Sequence, residues 1–385
     1  MAPPPHPRPQ RASQASAERA LRRGLARTLL LLALAGCRST SPAAPPPAPA
    51  APDAALEAAN PLRPLPEPPL GSPADFAAVP WVTPQKVRLG RSLFFDVRLS
   101  VDETVSCASC HQPSLGYSEP TAHSTGIRGQ RGTRKAPPIL NAAFPVYPSF
   151  FWDGRAASLA EQAKGPIANP IEMGHTLDGA AAAIRAVAGY RPWFREAFGD
   201  DRVDIERIAE ALAAYEATRL SGNSRADRFD AGEATALTPA EQRGRVLFFG
   251  RGACATCHLG PNLTDGRFHN VGVGWLEPPP GTPPERAFHD LGRAAVSHDS
   301  RDTGAFKTPT LRDCTRRAPY MHDGSVATVR EAVDLYRTNG HANPWRSEKL
   351  RAGPLSEADV DDLTAFLGAL EGAGFDDAPP RRFPD

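Results

Sequence analysis

The pentapeptide Cys107-Ala108-Ser109-Cys110-His111 returns, nearly unchanged, as Cys254-Ala255-Thr256-Cys257-His258. Two thiols three positions apart with an imidazole directly after the second form the attachment signature of c-type haem. The thiols bond the two vinyl groups, and the adjacent His falls under the iron as axial ligand. A thioredoxin-like dithiol or a zinc site needs no His at that position. The chain is therefore expected to carry two covalently bound haem c groups. Cys107, Cys110, Cys254 and Cys257 would attach them, with His111 and His258 as iron ligands. Of six cysteines this leaves Cys37 and Cys314. Cys314 has no partner for a disulfide and is expected to be a buried, small apolar side chain.

The repeat extends upstream. Gly90-Arg91-Ser92-Leu93-Phe94-Phe95 precedes the first motif and Gly244-Arg245-Val246-Leu247-Phe248-Phe249 the second. Thr83-Pro84 and Thr238-Pro239 read as matching helix starts, the second with Glu241 completing a capping box. Each half thus reads as one domain built on the same plan, with a boundary near Ser221–Thr238. Further helices are expected after Ser158 and over 180–187, 203–218, 328–336 and 356–370, from their caps and apolar spacing. No run alternates with period two for long, and Gly and Pro fill the connections. The expected fold class is all-α and loop-rich.

The N-terminus reads differently. Residues 1–75 hold 17 of the 42 Pro and no aromatic residue before Phe76, a composition that cannot build a core. Arg19, Arg22, Arg23 and Arg27 form a basic stretch before the apolar run Leu29–Leu34, which is too short to span a bilayer. The run ends in Leu34-Ala35-Gly36-Cys37, which resembles the lipobox of bacterial lipoproteins. Residues 1–36 are expected to be a lipoprotein signal peptide and Cys37 a lipid anchor. Residues 37–75 would be a Pro/Ala-rich tether holding the domains off the membrane. Arg38, rather than Asp, after the anchor points to the outer membrane, with the chain on the periplasmic side. Removal of the leader takes the formal charge from +1 to about −4. No basic face remains for nucleic acid.

From about Leu89 to Leu370 the chain resembles the bacterial di-haem cytochrome c peroxidase family, which includes the MauG enzymes. The resemblance rests on specific motifs: Gly90-Arg91-x-Leu93-Phe94-Phe95-Asp96-x-Arg98-Leu99-Ser100, Phe151-Trp152-Asp153-Gly154-Arg155-Ala156, Gly165-Pro166-x-x-Asn169-Pro170-x-Glu172-Met173, Phe306-Lys307-Thr308-Pro309-Thr310-Leu311-Arg312 and Ala318-Pro319-Tyr320-Met321-His322-Asp323-Gly324-Ser325. It implies two cytochrome c-like haem domains packed together, an N-terminal peroxidatic domain at 76–225 and a C-terminal electron-transfer domain at 226–385. It also implies a distal Gln and Glu ten residues apart, a spacing that Gln162 and Glu172 match. Peroxide cleavage needs a base that takes a proton from the near oxygen and returns it to the leaving one. A carboxylate does this in a water-poor pocket that raises its pKa. Trp152, twenty residues before Glu172, stands at the offset of the family's Trp between the haems.

Three departures matter. The family's Ser-x-Gly-His stretch, whose His blocks the peroxidatic iron until the other haem is reduced, reads Ser124-Thr125-Gly126-Ile127. Ile127 cannot bind iron, so the first haem is expected to be open in its ferric state unless His123 substitutes by a loop shift. The Met that ligates the second haem is replaced by Tyr336, as in MauG. A phenolate is a hard anionic donor that favours the higher iron charge; the alternative is a Tyr that packs without bonding. The Asn that ligates an interdomain calcium is replaced by Lys135, which cannot. Calcium is therefore doubtful, and the Lys135 ammonium is expected in the ion's place, on carbonyls near Lys307–Pro309.

Three functions follow from the resemblance. One is a hydrogen peroxide-dependent peroxidase fed by a small c-type cytochrome or cupredoxin, without reductive gating. Another is a MauG-like oxidase of aromatic residues in a partner protein. The last is a non-catalytic di-haem electron carrier, which would need neither Gln162 nor Glu172.

Overall fold

The structure, a computed structural model, describes residues 53–144, 149–278, 280, 281, 283 and 288–385. The expected signal peptide, the Cys37 anchor and the tether as far as residue 52 lie outside the described residues.

The expected helix starts form as capped ends. The Thr83 hydroxyl accepts from Lys86 N, with Pro84 in the first turn, and opens the helix Pro84–Phe95. Thr238 and Glu241 form a reciprocal capping box at the start of Pro239–Phe249. Thr328 with Glu331 and Ser356 with Asp359 do the same for Val329–Arg337 and Glu357–Gly368. Each cap satisfies backbone donors that a helix end otherwise leaves unpaired.

The two halves then make the same crossing. Pro84–Phe95 packs on Ile205–Ala217, and Pro239–Phe249 packs on Glu357–Gly368. Gly90 and Gly244, equivalent in the repeat, sit at the crossings. A Cβ on Gly90 would lie 1.8 Å from Ala211 O, and one on Gly244 would lie 1.9 Å from Asp362 O. Only glycine lets the two backbones touch there. Leu89, Leu93, Phe94, Phe194, Leu212 and Tyr215 belong to the first hydrophobic core. Leu247, Phe248, Val360, Leu363 and Phe366 belong to the second. Among the described residues the only sheet is one antiparallel pair, Phe268–His269 with Phe306–Lys307. The fold is mostly helical, with long irregular connections.

Both ends of the described chain depart from expectation. Residues 53–60, expected to be tether, cover the first core. Asp53 caps the helix Ala54–Ala59, Leu56 is buried, Glu57 accepts from Trp193 Nε1 at 2.5 Å and pairs with Arg88, and Asn60 donates to Arg382 O at 2.9 Å. The expected tether as a whole is too polar and Pro-rich to build a core, but one Leu and a few hydrogen bonds suffice to cover one. The C-terminal tail likewise leaves the second half. Ala373 bridges Gly222, Phe375 enters the first core, and Gly189 N donates to Asp385 O at 2.9 Å. The expected domain limits of 76 and 385 therefore do not coincide with the limits of the two cores.

Candidate active site

His111 and His258 are held alike. Each follows a short helical turn, Cys107–Cys110 or Cys254–Thr256. His111 Nδ1 lies 3.1 Å from Tyr117 O and His258 Nδ1 lies 3.0 Å from Leu263 O. A ring nitrogen that donates to a carbonyl leaves the other, Nε2, as a lone pair for a metal. Burial pushes both imidazoles below their ordinary pKa, His258 to about 4, which keeps them neutral. Burial also pushes the Cys110 thiol up to about 11 and that of Cys254 to about 12. A pair of thiols at this spacing, beside an imidazole whose Nε2 is left for a metal, fits thioether attachment of haem with the His under the iron.

A cavity of about 800 Å³ brings together Cys107, Cys110, His111, Trp152, Gln162 and Glu172, a volume in the range of cofactor sites. The helix Leu159–Ala168, capped by Ser158, carries Gln162. Pro166, inside that helix, has no N–H to give to Gln162 O, so the ladder is interrupted under the glutamine. The chain then turns at Asn169 and brings Glu172 back to the same wall. Glu172 N donates to Asn169 O at 3.1 Å, and Asn169 Nδ2 donates to Glu172 Oε1 at 2.6 Å. Burial raises the Glu172 carboxyl above its ordinary 4.5, against the opposing pull of the Asn169 hydrogen bond and the Arg155 charge. The result is a carboxyl poised to exchange a proton.

The loop after His111 is pinned across this wall. Ile127 N donates to Glu172 O at 2.9 Å, Gly132 N donates to Ser124 O at 3.0 Å, and the buried Glu119 carboxyl accepts from Ala136 N at 2.9 Å. A Cβ on Gly126 would meet Ile171 O at 2.0 Å, so the loop approaches backbone to backbone. Ile127 is in the first core, against Gly174, and is not on the cavity wall. His123 is on the wall.

A second cavity brings together Cys254, Cys257, His258, Cys314, Met321 and Tyr336. Burial pushes the Tyr336 phenol up. Trp152 lines both of these cavities, its Nε1 donating to Lys135 O at 2.8 Å while its own carbonyl accepts from Lys307 N at 2.8 Å. His322 lines both as well, stacked on Phe306 with centroids 3.5 Å apart. The sequence placed Trp152 between the two sites but read His322 only as a hydrogen-bonding residue of the 318–325 loop, whose fold decides its place.

Lys135 is buried, and its ammonium donates to Glu119 O and, at 3.2 Å, to Thr121 O. The expected carbonyls near Lys307–Pro309 are not its partners. The side chain turns back onto its own loop, where two carbonyls converge. Sequence reasoning also missed the charge chain along the first cavity. Arg134 binds Asp290 at 2.7 and 2.8 Å and Asp153 at 2.6 Å, and Asp153 binds Arg155 at 2.9 Å. Alternating charges offered no local pattern that separates these from solvated surface pairs. Asp265 forms a similar knot beside Cys257, with His269 and Lys349 each at 2.9 Å.

The family described as "Di-haem cytochrome c peroxidase" matches residues 84–235. The methylamine utilization protein MauG of Methylorubrum extorquens is 39% identical over 293 residues, covering 75% of this chain and 79% of that protein. The cytochrome c551 peroxidase of Nitrosomonas europaea is 37% identical over 294 residues, covering 76% and 82%. Among solved structures, a MauG-like protein associated with microbial copper homeostasis superposes with a TM-score of 0.71 at 31% identity, covering 84% of this chain and 98% of that one. The diheme peroxidase BthA from Burkholderia thailandensis superposes with a TM-score of 0.64 at 27% identity, covering 76% and 87%. With two matched Cys-x-x-Cys-His cavities and relatives aligned over most of their length, the chain belongs to the di-haem cytochrome c peroxidase and MauG family.

Proposed function

We propose that this chain is a periplasmic di-haem peroxidase that reduces hydrogen peroxide to water without prior reduction of its second haem. The observation that carries the reading is the single cavity shared by His111, Gln162 and Glu172, joined through Trp152 to a second cavity with His258 and Tyr336. Cys107 and Cys110 would attach one haem c and Cys254 and Cys257 the other. His111 and His258 would hold the irons through Nε2, with Tyr336 as the second ligand at His258. When bound, the haems supply the iron that takes up peroxide and the redox capacity to split its O–O bond.

This chain's residues do the rest. Glu172 takes the proton from the inner peroxide oxygen and returns it to the outer one, so that water leaves. Gln162 orients the peroxide by its amide. Trp152 places an indole between the two sites and shares the oxidising equivalents across them. Tyr336 supplies a negative oxygen that stabilises the more oxidised second site. Ile127, turned into the core, leaves the first site open. Two electrons from a small c-type cytochrome or cupredoxin complete the reduction. Lys135 stands where the family's calcium-ligating Asn would, and its ammonium bonds the carbonyls of Glu119 and Thr121. Elemental analysis of the purified protein is expected to find no stoichiometric calcium, and one equivalent per chain would overturn that assignment. Lipid anchoring through Cys37 would hold the enzyme at the outer membrane.

The test is turnover. The purified holoprotein is expected to oxidise two equivalents of a reduced one-electron donor for each hydrogen peroxide consumed. Tyr336 and Ile127 also favour a second reading, a MauG-like oxidation of aromatic residues in a partner protein. Peroxide consumed without oxidation of any small donor, but with oxidation of a partner's side chains, would select it. A non-catalytic electron carrier would consume no peroxide.

A further inference from the structure

Behind His111, off the cavity wall, lies a buried phenol pair that the peroxide reaction does not use. Tyr117 is fully buried, and its backbone carbonyl is the acceptor of His111 Nδ1. The Tyr117 hydroxyl lies 3.1 Å from that of Tyr215 and 3.1 Å from Phe375 O. Tyr215, also fully buried, donates to Asp377 Oδ2 at 2.9 Å. Arg91 Nε reaches both Asp377 oxygens at 3.0 Å. Arg219 Nη1 contacts Asp377 Oδ2 at 3.2 Å and Tyr117 Oη at 3.3 Å. The Arg219 guanidinium also lies over the Tyr215 ring, 4.4 Å from its centroid. Phe94 packs against both rings, with centroids 6.0 and 5.0 Å away.

Packing alone would be met by two phenylalanines. Two hydroxyls, a guanidinium and a carboxylate taken out of water cost free energy, which their mutual bonds only offset. What the arrangement adds is a proton acceptor in contact with a phenol. An oxidised phenol is a strong acid, so a tyrosine yields an electron readily only if its proton can leave at the same moment. Burial pushes the Asp377 carboxyl up, but Arg91 and Arg219 outweigh this and hold it below its ordinary range. It is an ionised base aimed at the Tyr215 hydroxyl.

We propose that Tyr215, with Tyr117 beside it, is a redox-active tyrosine pair that drains an oxidising equivalent from the His111 site when no external donor is present. In this step the Tyr215 O–H bond breaks, and the proton forms an O–H bond on Asp377 Oδ2. The electron reduces the peroxide-oxidised His111 site by one equivalent; hydrogen peroxide is the oxidant. An external one-electron reductant returns the electron, and Asp377 returns the proton. The pair lies on the His111 side and so gives a route out that does not pass through Trp152.

The inference rests on the peroxide reaction proposed above, and its test keeps the two apart. Ferric holoprotein is mixed with one equivalent of hydrogen peroxide without donor and frozen. The haem absorbance and the electron paramagnetic resonance spectrum are read on the same samples, with ring-deuterated tyrosine to identify a tyrosyl signal. Tyr215→Phe and Asp377→Asn are compared with Tyr190→Phe, a control whose hydroxyl also donates to a carboxylate, Asp96, at 2.6 Å. The expected result is a tyrosyl signal in the parent and in Tyr190→Phe, its loss in Tyr215→Phe, and formation at least ten-fold slower in Asp377→Asn. The oxidised haem absorbance should persist several-fold longer in Tyr215→Phe. A haem response without a tyrosyl signal in the parent, or a signal unchanged in Tyr215→Phe, overturns the inference. If the haem absorbance does not respond, the peroxide reading fails. The same variants are then oxidised with a flash-generated ruthenium oxidant, and a tyrosyl signal that survives Tyr215→Phe again overturns the pair.

Discussion

The Glu172→Gln variant is expected to keep both haems and to react with hydrogen peroxide about 10²–10⁴-fold more slowly, the range that a positioned acid–base group contributes. The amide has the carboxylate's shape and can still accept from Asn169 Nδ2, which binds Glu172 at 2.6 Å. What it cannot do is take a proton. The sign of the pH dependence follows. Burial raises the Glu172 carboxyl above 4.5, and only the ionised form accepts a proton. The parent's rate therefore falls as pH drops through that raised value, and the variant's slow rate shows no such limb. Stopped-flow haem absorbance across a pH series checks both statements. An unchanged rate in Glu172→Gln removes the residue from the mechanism.

The second large effect is on redox potential. Tyr336→Met is expected to raise the reduction potential of the second haem on the order of 0.2 V, a fraction of the span that axial ligands control. A thioether favours the ferrous state, whereas a phenolate favours the higher iron charge. Tyr336 projects from the capped helix Val329–Arg337 onto the wall that also carries His258. Burial alone would keep the phenol protonated, so phenolate character there requires a bond to a cation. Met321 lines the same cavity and is the competing ligand. Tyr336→Phe separates the two. Loss of the anionic ligand shifts the potential upward and changes the haem spectrum, whereas ligation by Met321 predicts no change in either. A spectroelectrochemical titration reads both variants.

Much of this was legible in the sequence where the controlling interactions are local. Cys-x-x-Cys-His is a contiguous motif, and the caps at Thr83, Thr238, Thr328 and Ser356 act within one helical turn. The spacing of Gln162 and Glu172 was read through the family resemblance, and the structure brings both to one wall because Asn169 ends a helix and turns the chain back. What escaped depends on residues far apart in the chain. Leu56, Phe375 and Asp377 pack on the first core from the two ends of the described chain. His322 reaches both cavities through a stack on Phe306. Lys135 is the opposite case: it was expected to meet carbonyls at Lys307–Pro309, yet its flexible stem folds back to Glu119 and Thr121 in its own loop. Composition misled at residues 53–60, because a segment that cannot make a core can still cover one.

In the resting, fully oxidised protein the haem that His111 would hold is expected to be open to peroxide. Adding one equivalent of hydrogen peroxide to fully ferric protein and following the haem spectrum by stopped flow checks this. A rapid spectral change with no electron supplied is expected, because Ile127 is turned into the core and offers no ligand to this site. A spectrum that stays unchanged until one electron has been added would contradict it. That result would place a ligand on the iron, with His123 on the cavity wall as the first residue to replace.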